Sequence, residues 1–437
     1  MRPPALKTRS LLPVLAALGI AIVFLLLNYK AYDGFFQDDE LDNLVWAPSL
    51  PALTFLTHLL EPTFELDNFR PVGHFYFKLM GSGFGLDFAP YITPIFALHF
   101  VNALLLYLLM RKLTIKPWCA LAATAFFTLS ATAFDAYWKP MYVFDLLCAT
   151  FSLASILLYA HRRWVLSFIA FWLAYKSKEL AVMLPAVLAI YEYLFGERRF
   201  KILIPFFLVS LSFGLQGLIL NPNKDNDYTF RFTPRALGAT VPFYANRFLL
   251  FPFSGLLLFA LAFLRDRRII FGLAAMSLVM VPLIFLPGRL YEAYAYLPLA
   301  CASIALAGFA ARFNPLYAWL ALALWMPHNV REIRHERRAI LEADDAAFGF
   351  VNALSKCKET YTLVYDGLPP NFHHWGATAA WNIVHNSRDL RAFPADWPEG
   401  KKAMASETVV YGAWNTQKQT LAIALRSPDS PSDTPSK

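Results

Sequence analysis

Four carboxylates fall within five residues in Gln37-Asp38-Asp39-Glu40-Leu41-Asp42-Asn43. Packed this tightly they repel one another, which raises the pKa of one of them and suits it to accept a proton as a general base. On a helix, Asp38 and Asp39 point about 100° apart, so both cannot face one acceptor hydroxyl. Asp39 is the preferred base, with Asp38 and Glu40 supporting it or holding a divalent cation. The plainer reading is an acidic first turn that caps a helix, worth about 0.5 to 2 kcal/mol, but capping alone needs one acid, not four. Matching cations follow along the chain: Arg70 and His74 in Arg70-Pro71-Val72-Gly73-His74, Lys178 beside the acidic Glu179 in Lys176-Ser177-Lys178-Glu179, and Arg289 ahead of Tyr294. Arginine can bind a phosphate through two hydrogen bonds, and lysine can meet it as a point charge. Arg70 reads equally as a lipid-headgroup anchor, and the Lys176–Glu179 segment as a charged hairpin turn. A base together with phosphate-binding cations is the equipment of a group transfer in which a phosphate departs. His99 lies in an apolar helix and reads as a packing histidine.

The elements that must hold these residues are set by hydropathy. The chain has 437 residues, 57% hydrophobic and 16% charged, with mean hydropathy +0.43, which excludes a soluble globular domain and gives a polytopic membrane protein. Apolar runs at 11–28, 90–110, 118–134, 141–160, 164–175, 180–195, 202–220, 241–264, 269–286, 294–311 and 315–327 give about eleven transmembrane helices. The basic leader (Arg2, Lys7, Arg9) and the clusters at Arg111-Lys112, Arg162-Arg163, Arg198-Arg199, Arg265, Arg267-Arg268 and Arg312 then share the cytoplasmic side. Two runs, 164–175 and 315–327, fall short of the roughly 20 residues a perpendicular span needs. The first must still cross to keep Arg198 and later cations inside. The opposite face collects the acidic loop with Arg70, His74, Lys139, Lys176, Lys178, Glu179, Arg231, Arg235, Arg289 and Glu292. The formal charge of +8 is therefore a sign of topology, not of a nucleic-acid partner.

The first run lacks a small-residue cleavage site and reads as a retained anchor. Cys119, Cys148 and Cys301 lie in apolar runs and Cys357 in the polar tail, so no disulfide framework is legible. Residues 1–329 form the membrane region, with a first extracytoplasmic loop at about 30–89. An amphipathic helix at 331–356 and strand-like runs at 361–365, 408–414 and 420–425 make residues 330–426 a small α/β domain. Residues 427–437 are disordered by composition. The chain has no internal repeat, Gly-rich phosphate loop, metal-spaced Cys/His set or nucleophile elbow.

Four segments in order resemble the GT-C superfamily of polyprenyl-phosphate-dependent glycosyltransferases, especially bacterial relatives of the protein O-mannosyltransferases, the TMTC-like and ArnT-like group. They are the acidic pair after the first span (Asp38-Asp39-Glu40), Arg70-Pro71-Val72, Ser177-Lys178-Glu179 leading to Pro185, and Tyr294-Ala295-Tyr296-Leu297-Pro298. The resemblance covers most of the membrane region. It departs at Ala293, where the family usually has arginine and where Arg289 is the substitute, and in lacking a tetratricopeptide period. What it implies is an all-α GT-C fold with a small extracytoplasmic α/β domain, in the inner membrane of a bacterium. The implied activity is inverting hexosyl or pentosyl transfer from a polyprenyl-phosphate sugar donor to a glycan, lipid or protein acceptor on the extracytoplasmic face. Asp39 would be the base with Asp38 and Glu40 beside it; Arg70, Lys178 and Arg289 would surround the phosphate, and His74, Glu179 and Tyr294 would complete the substrate site. A flippase of lipid-linked saccharides is the rival from another class, expected to carry ionisable groups or broken helices near the midplane. A glycan ligase is a third reading, with its key residues expected in a large late loop.

Eleven crossings from a cytoplasmic start end outside, so topology reporters fused after Arg70 and after Ala405 should both read non-cytoplasmic. A cytoplasmic readout from the second fusion alone would remove 315–327 from the spans.

Overall fold

An aliphatic run with no polar side folds as a helix that suits lipid all round. Leu12–Asn28 is such a helix, and it leaves Leu12, Leu15, Leu18, Ile22 and Leu26 exposed. The computed structural model describes residues 11–63, 69–220 and 227–428; the leader cations Arg2, Lys7 and Arg9 and residues 429–437 of the terminal stretch lie outside these. Among the described residues, five helices are long and apolar enough to cross a membrane: Leu12–Asp33, Ala89–Lys112, Pro140–Ala160, Arg267–Ile284 and Glu292–Ala310. Pro117–Leu129 with Ala131–Trp138, bent by 54°, adds a sixth if counted as one span. The chain is a multi-pass membrane protein.

The other apolar runs are short or broken. Run 164–175 lies in Trp164–Ser177, run 180–195 divides into Glu179–Met183 and Leu184–Phe195, and run 241–264 is shared among Pro234–Arg247, Ser254–Leu257 and Leu258–Leu264. Pro185 and Pro252 lie at such breaks, where proline has no backbone N–H to donate. Run 315–327, by contrast, does not stop: it continues through Pro327 and the expected amphipathic segment as one helix, Pro315–Leu354. Met326-Pro327-His328-Asn329-Val330 holds no glycine to turn the chain, so the proline costs its own bond without ending the helix.

Two compact units are present. The first comprises Met1–Tyr29, Leu56–Gly73 and Thr93–Ile333. Within it, the break at Ser130 frees backbone groups that Asn329 takes up: Ala131 N–H donates to Asn329 Oδ1 and Asn329 Nδ2 donates to the Leu129 carbonyl, both at 2.7 Å. Buried His99 is satisfied as well. Its Nε2 donates to the Thr128 carbonyl at 3.0 Å, which leaves Nδ1 to accept from the Tyr296 hydroxyl at 2.7 Å.

The second unit comprises Lys30–Phe55, His74–Ile92 and Arg334–Lys437. It holds a four-stranded sheet of β1 (Thr362–Asp366), β2 (Ala392–Pro394), β3 (Val409–Asn415) and β4 (Thr420–Arg426), in the order β2-β1-β3-β4. β1 runs parallel to both neighbours, with Leu363 opposite Val410, and β3 and β4 form an antiparallel hairpin. Parallel neighbours require crossovers, supplied by helices His374–Val384 and Pro398–Ser406. Val364, Ala403 and Val409 form a small core, and the Phe350 ring lies 5.4 Å from that of Phe372.

Candidate functional site

The acidic cluster forms the first turn of helix Asp38–Trp46, in the second unit. Gln37 is extended and caps this helix: its backbone N–H donates to Glu40 Oε2 at 2.9 Å, and its side chain accepts from the Glu40 backbone. Capping thus accounts for one acid. Buried Asp38 faces the start of helix His374–Val384, where Oδ1 accepts from the His373 backbone N–H at 2.8 Å and Oδ2 accepts from His373 Nδ1 at 2.5 Å. A carboxylate at a helix N-terminus meets unpaired N–H groups and the positive end of the dipole. Gly376 makes the approach possible, since a Cβ there would run into Asp38 Oδ1. Asp39 is exposed; its Oδ1 accepts from Trp375 Nε1 at 2.8 Å, and among the described residues its Oδ2 accepts nothing. The Trp375 ring stacks on His373 with centroids 4.4 Å apart. Asp42 is exposed, and buried His74 lies with its ring 4.7 Å from that of Trp46.

Asp38, Asp39 and Glu40 turn toward different donors and do not converge on one point. Among the described residues, no group of three or more His, Cys, Asp or Glu side chains is placed to hold a metal ion.

The cations gather in the first unit. Arg70 stands just before helix Pro71–Phe84; its Nε donates to Glu179 Oε1 at 2.8 Å and its guanidinium lies 5.4 Å from the Phe144 ring centroid. Lys178 is extended (φ −162°, ψ 143°), so its side chain and that of Glu179 leave the chain on opposite sides. Lys178 and its neighbour Glu179 therefore take different partners. Lys178 Nζ reaches Asp145, 2.6 and 2.7 Å from the two carboxylate oxygens, and sits 3.8 Å from the Tyr294 ring centroid. The Tyr294 hydroxyl accepts from Arg289 Nη2 at 3.2 Å. Arg289 lies against the rings of Tyr228 and Tyr291, at 4.4 and 4.7 Å, and its buried Nε has no hydrogen-bond partner among the described residues.

Burial disfavours both charges of the Arg70–Glu179 pair, yet their attraction and hydrogen bond hold Arg70 above and Glu179 below their ordinary pKa values. The pair's contribution to stability is complete above the ordinary glutamate value of 4.5 and is lost as pH falls through the lowered one. Arg70 and Lys178 face two carboxylates, Glu179 and Asp145, and among the described residues Arg289 has no carboxylate partner. The cluster thus carries surplus positive charge and an unsatisfied donor, both suited to an anion.

Of the residues read from sequence, Arg70, Lys178, Glu179, Arg289 and Tyr294 come together here, while Asp38, Asp39, Glu40 and His74 lie in the other unit. Sequence reasoning missed Asp145, although a lone carboxylate in an apolar run is itself a signal. It also missed His373 and Trp375, whose only mark is the exposed-looking stretch His373-His374-Trp375.

No family model matches this sequence, and no curated protein matches it. Solved structures do. ArnT from Cupriavidus metallidurans bound to undecaprenyl phosphate superposes with a TM-score of 0.52 at 12% identity, covering 93% of this chain and 93% of that one. The apo state of the same protein gives 0.54 at 13% identity, covering 92% of each chain. The chain shares the fold of these ArnT structures over nearly its whole length.

The Lys178–Asp145 pair offers a direct measurement. Asp145→Leu should destabilise the protein by about 3 to 5 kcal/mol, because it leaves a buried ammonium without its partner, whereas Asp145→Leu with Lys178→Met should recover most of that loss. Thermal unfolding in detergent reads both. Equal losses in the single and double variants would show that the pair does not hold this region.

Proposed function

We propose that the chain is an inverting glycosyltransferase that moves a sugar from a polyprenyl-phosphate carrier to a hydroxyl of a glycan, lipid or protein acceptor, on the extracytoplasmic face of a bacterial inner membrane. The observation that carries this reading is the cation cluster around Tyr294, with its surplus positive charge and the buried Nε of Arg289, which has no partner among the described residues. The ArnT-like fold supports it, and the ArnT structure bound to undecaprenyl phosphate supports the same class of carrier here. The reading brings with it about eleven crossings and an outer C-terminal domain spanning residues 330–426.

In this mechanism Asp39 takes the proton of the acceptor hydroxyl through its open Oδ2. The acceptor oxygen attacks the anomeric carbon as the bond from that carbon to the phosphate oxygen breaks, with inversion. Charge developing on the departing phosphate is met by Arg70, Lys178 and Arg289, and their prior arrangement spares the cost of reorganising them during the reaction. Glu179 holds Arg70 in place, Asp145 does the same for Lys178, and Tyr294 lies between Lys178 and Arg289. Asp38 is a positioning residue: bound to His373, it orients the helix start that carries Asp39.

Asp39→Asn keeps the side chain's size but cannot accept the proton, so transfer should fall about a hundred- to ten-thousand-fold at unchanged membrane abundance. Asp38→Asn should lose less. Mass analysis of envelope glycans from a deletion strain complemented with each variant gives the comparison. Full glycan from both single variants and from the double variant would sink the mechanism and favour the flippase.

A further inference from the structure

We propose that a cavity on the opposite, basic side of the first unit binds the phosphate headgroup of an anionic phospholipid. This goes beyond the transfer reaction and rests only on the topology read from charge. The cavity has a volume of about 370 Å³ and lies where three helix connections meet, among Lys112, Tyr159, Arg162, Trp164, Glu197 and Arg199. Each connection contains a left-handed residue that is not glycine: Thr114, Arg162 and Arg198, all at φ 60°. Two of them close helix ends. Arg162 N–H donates to the Tyr159 carbonyl at 2.8 Å and Arg163 N–H to that of Leu158 at 2.9 Å, with Thr114 and Ile115 doing the same for Arg111 and Met110 at 3.1 Å. Glycine is the usual residue at such a closure, because any side chain there costs conformational energy. Arginine at 162 accepts that cost and puts a guanidinium on the cavity wall.

The third connection is held from below. Buried Glu192 accepts the backbone N–H groups of Glu197 and Arg199 on Oε1, at 3.0 and 2.6 Å, and the Tyr159 hydroxyl on Oε2 at 3.1 Å. Its charge is met by these donors, and the turn carrying Arg199 is fixed. Above it, Glu197 pairs with Arg162 and, at 2.5 Å, with Arg199. Their side chains are 64%, 47% and 47% exposed for Arg162, Arg199 and Glu197, so the two ion pairs are weak and easily exchanged. One carboxylate between two guanidiniums occupies the place a phosphate would take with both forks. Lys112 and Arg163 help, after burial, to lower the pKa of adjacent His161, a sign of a positive local field. Positive-inside bias accounts for cations on this side, but it calls for neither a cavity nor three strained turns around it. Trp164, 5.7 Å from the Arg199 guanidinium and at the start of an apolar helix, places the cavity at headgroup level and favours a lipid as the source of the phosphate.

The test uses the full chain in neutral detergent, with thermal midpoints measured against short-chain phosphatidylglycerol, phosphatidylcholine and inorganic phosphate. Phosphatidylglycerol should raise the midpoint saturably, and phosphatidylcholine should not. Arg162→Gln with Arg199→Gln should weaken the apparent affinity for phosphatidylglycerol about tenfold, and Glu197→Gln, which removes the internal competitor, should strengthen it severalfold. A shift with inorganic phosphate equal to that with phosphatidylglycerol would uphold the anion site and overturn the lipid as its source. Equal shifts with the two lipids, or an affinity unchanged in both variants, would overturn the proposal.

Discussion

A charge or a bare backbone amide has no water to turn to inside hydrocarbon, so every one kept there must find its partner within the protein. Much of this structure follows from that constraint. The bend at Ser130 is tolerable because the Asn329 side chain serves both freed backbone groups. His99 lies among aromatic rings with both ring nitrogens occupied. Lys178 would be expensive alone and is matched by Asp145 through both carboxylate oxygens. Several buried polar atoms are left without a partner among the described residues, and of these the Nε of Arg289 is the one that belongs to an arginine.

The two charged clusters are built differently, as befits different tasks. The cations are buried or half-buried and held by rigid partners: Glu179 on Arg70, Asp145 on Lys178, three tyrosines on Arg289. Such an arrangement suits a charge that must be stabilised in a fixed place. The acids instead sit in the first turn of a short helix, where one caps, one anchors and one is left with an open oxygen. Three of the four acids of the sequence thus divide the labour, and the cap accounts for only Glu40.

Legibility in the sequence followed the range of the interaction. Long apolar runs declared themselves, and β1, β3 and β4 showed as short alternating or β-branched segments. β2 spans Ala392–Pro394 and has no period to read. Arg70, Lys178, Glu179, Arg289 and Tyr294 could be picked by type and motif, but their pairing could not, because the extended backbone at Lys178 sends adjacent side chains apart. Asp145 was hidden by an otherwise apolar run. The apolar run at 315–327 and the amphipathic segment at 331–356 join as one helix because a proline without a following turn residue need not end one.

The bond between Asp38 and His373 joins residues 335 positions apart. The helix that opens with the acids is synthesised well before the residue that anchors its first carboxylate. Until residue 373 has been made and its surroundings have folded, that carboxylate lacks its amide and imidazole donors. The acidic cluster therefore cannot reach its final form during synthesis, and a chain cut short before residue 373 would insert its apolar helices while leaving this first turn unanchored. Completion of the cluster thus waits on a segment made more than three hundred residues later.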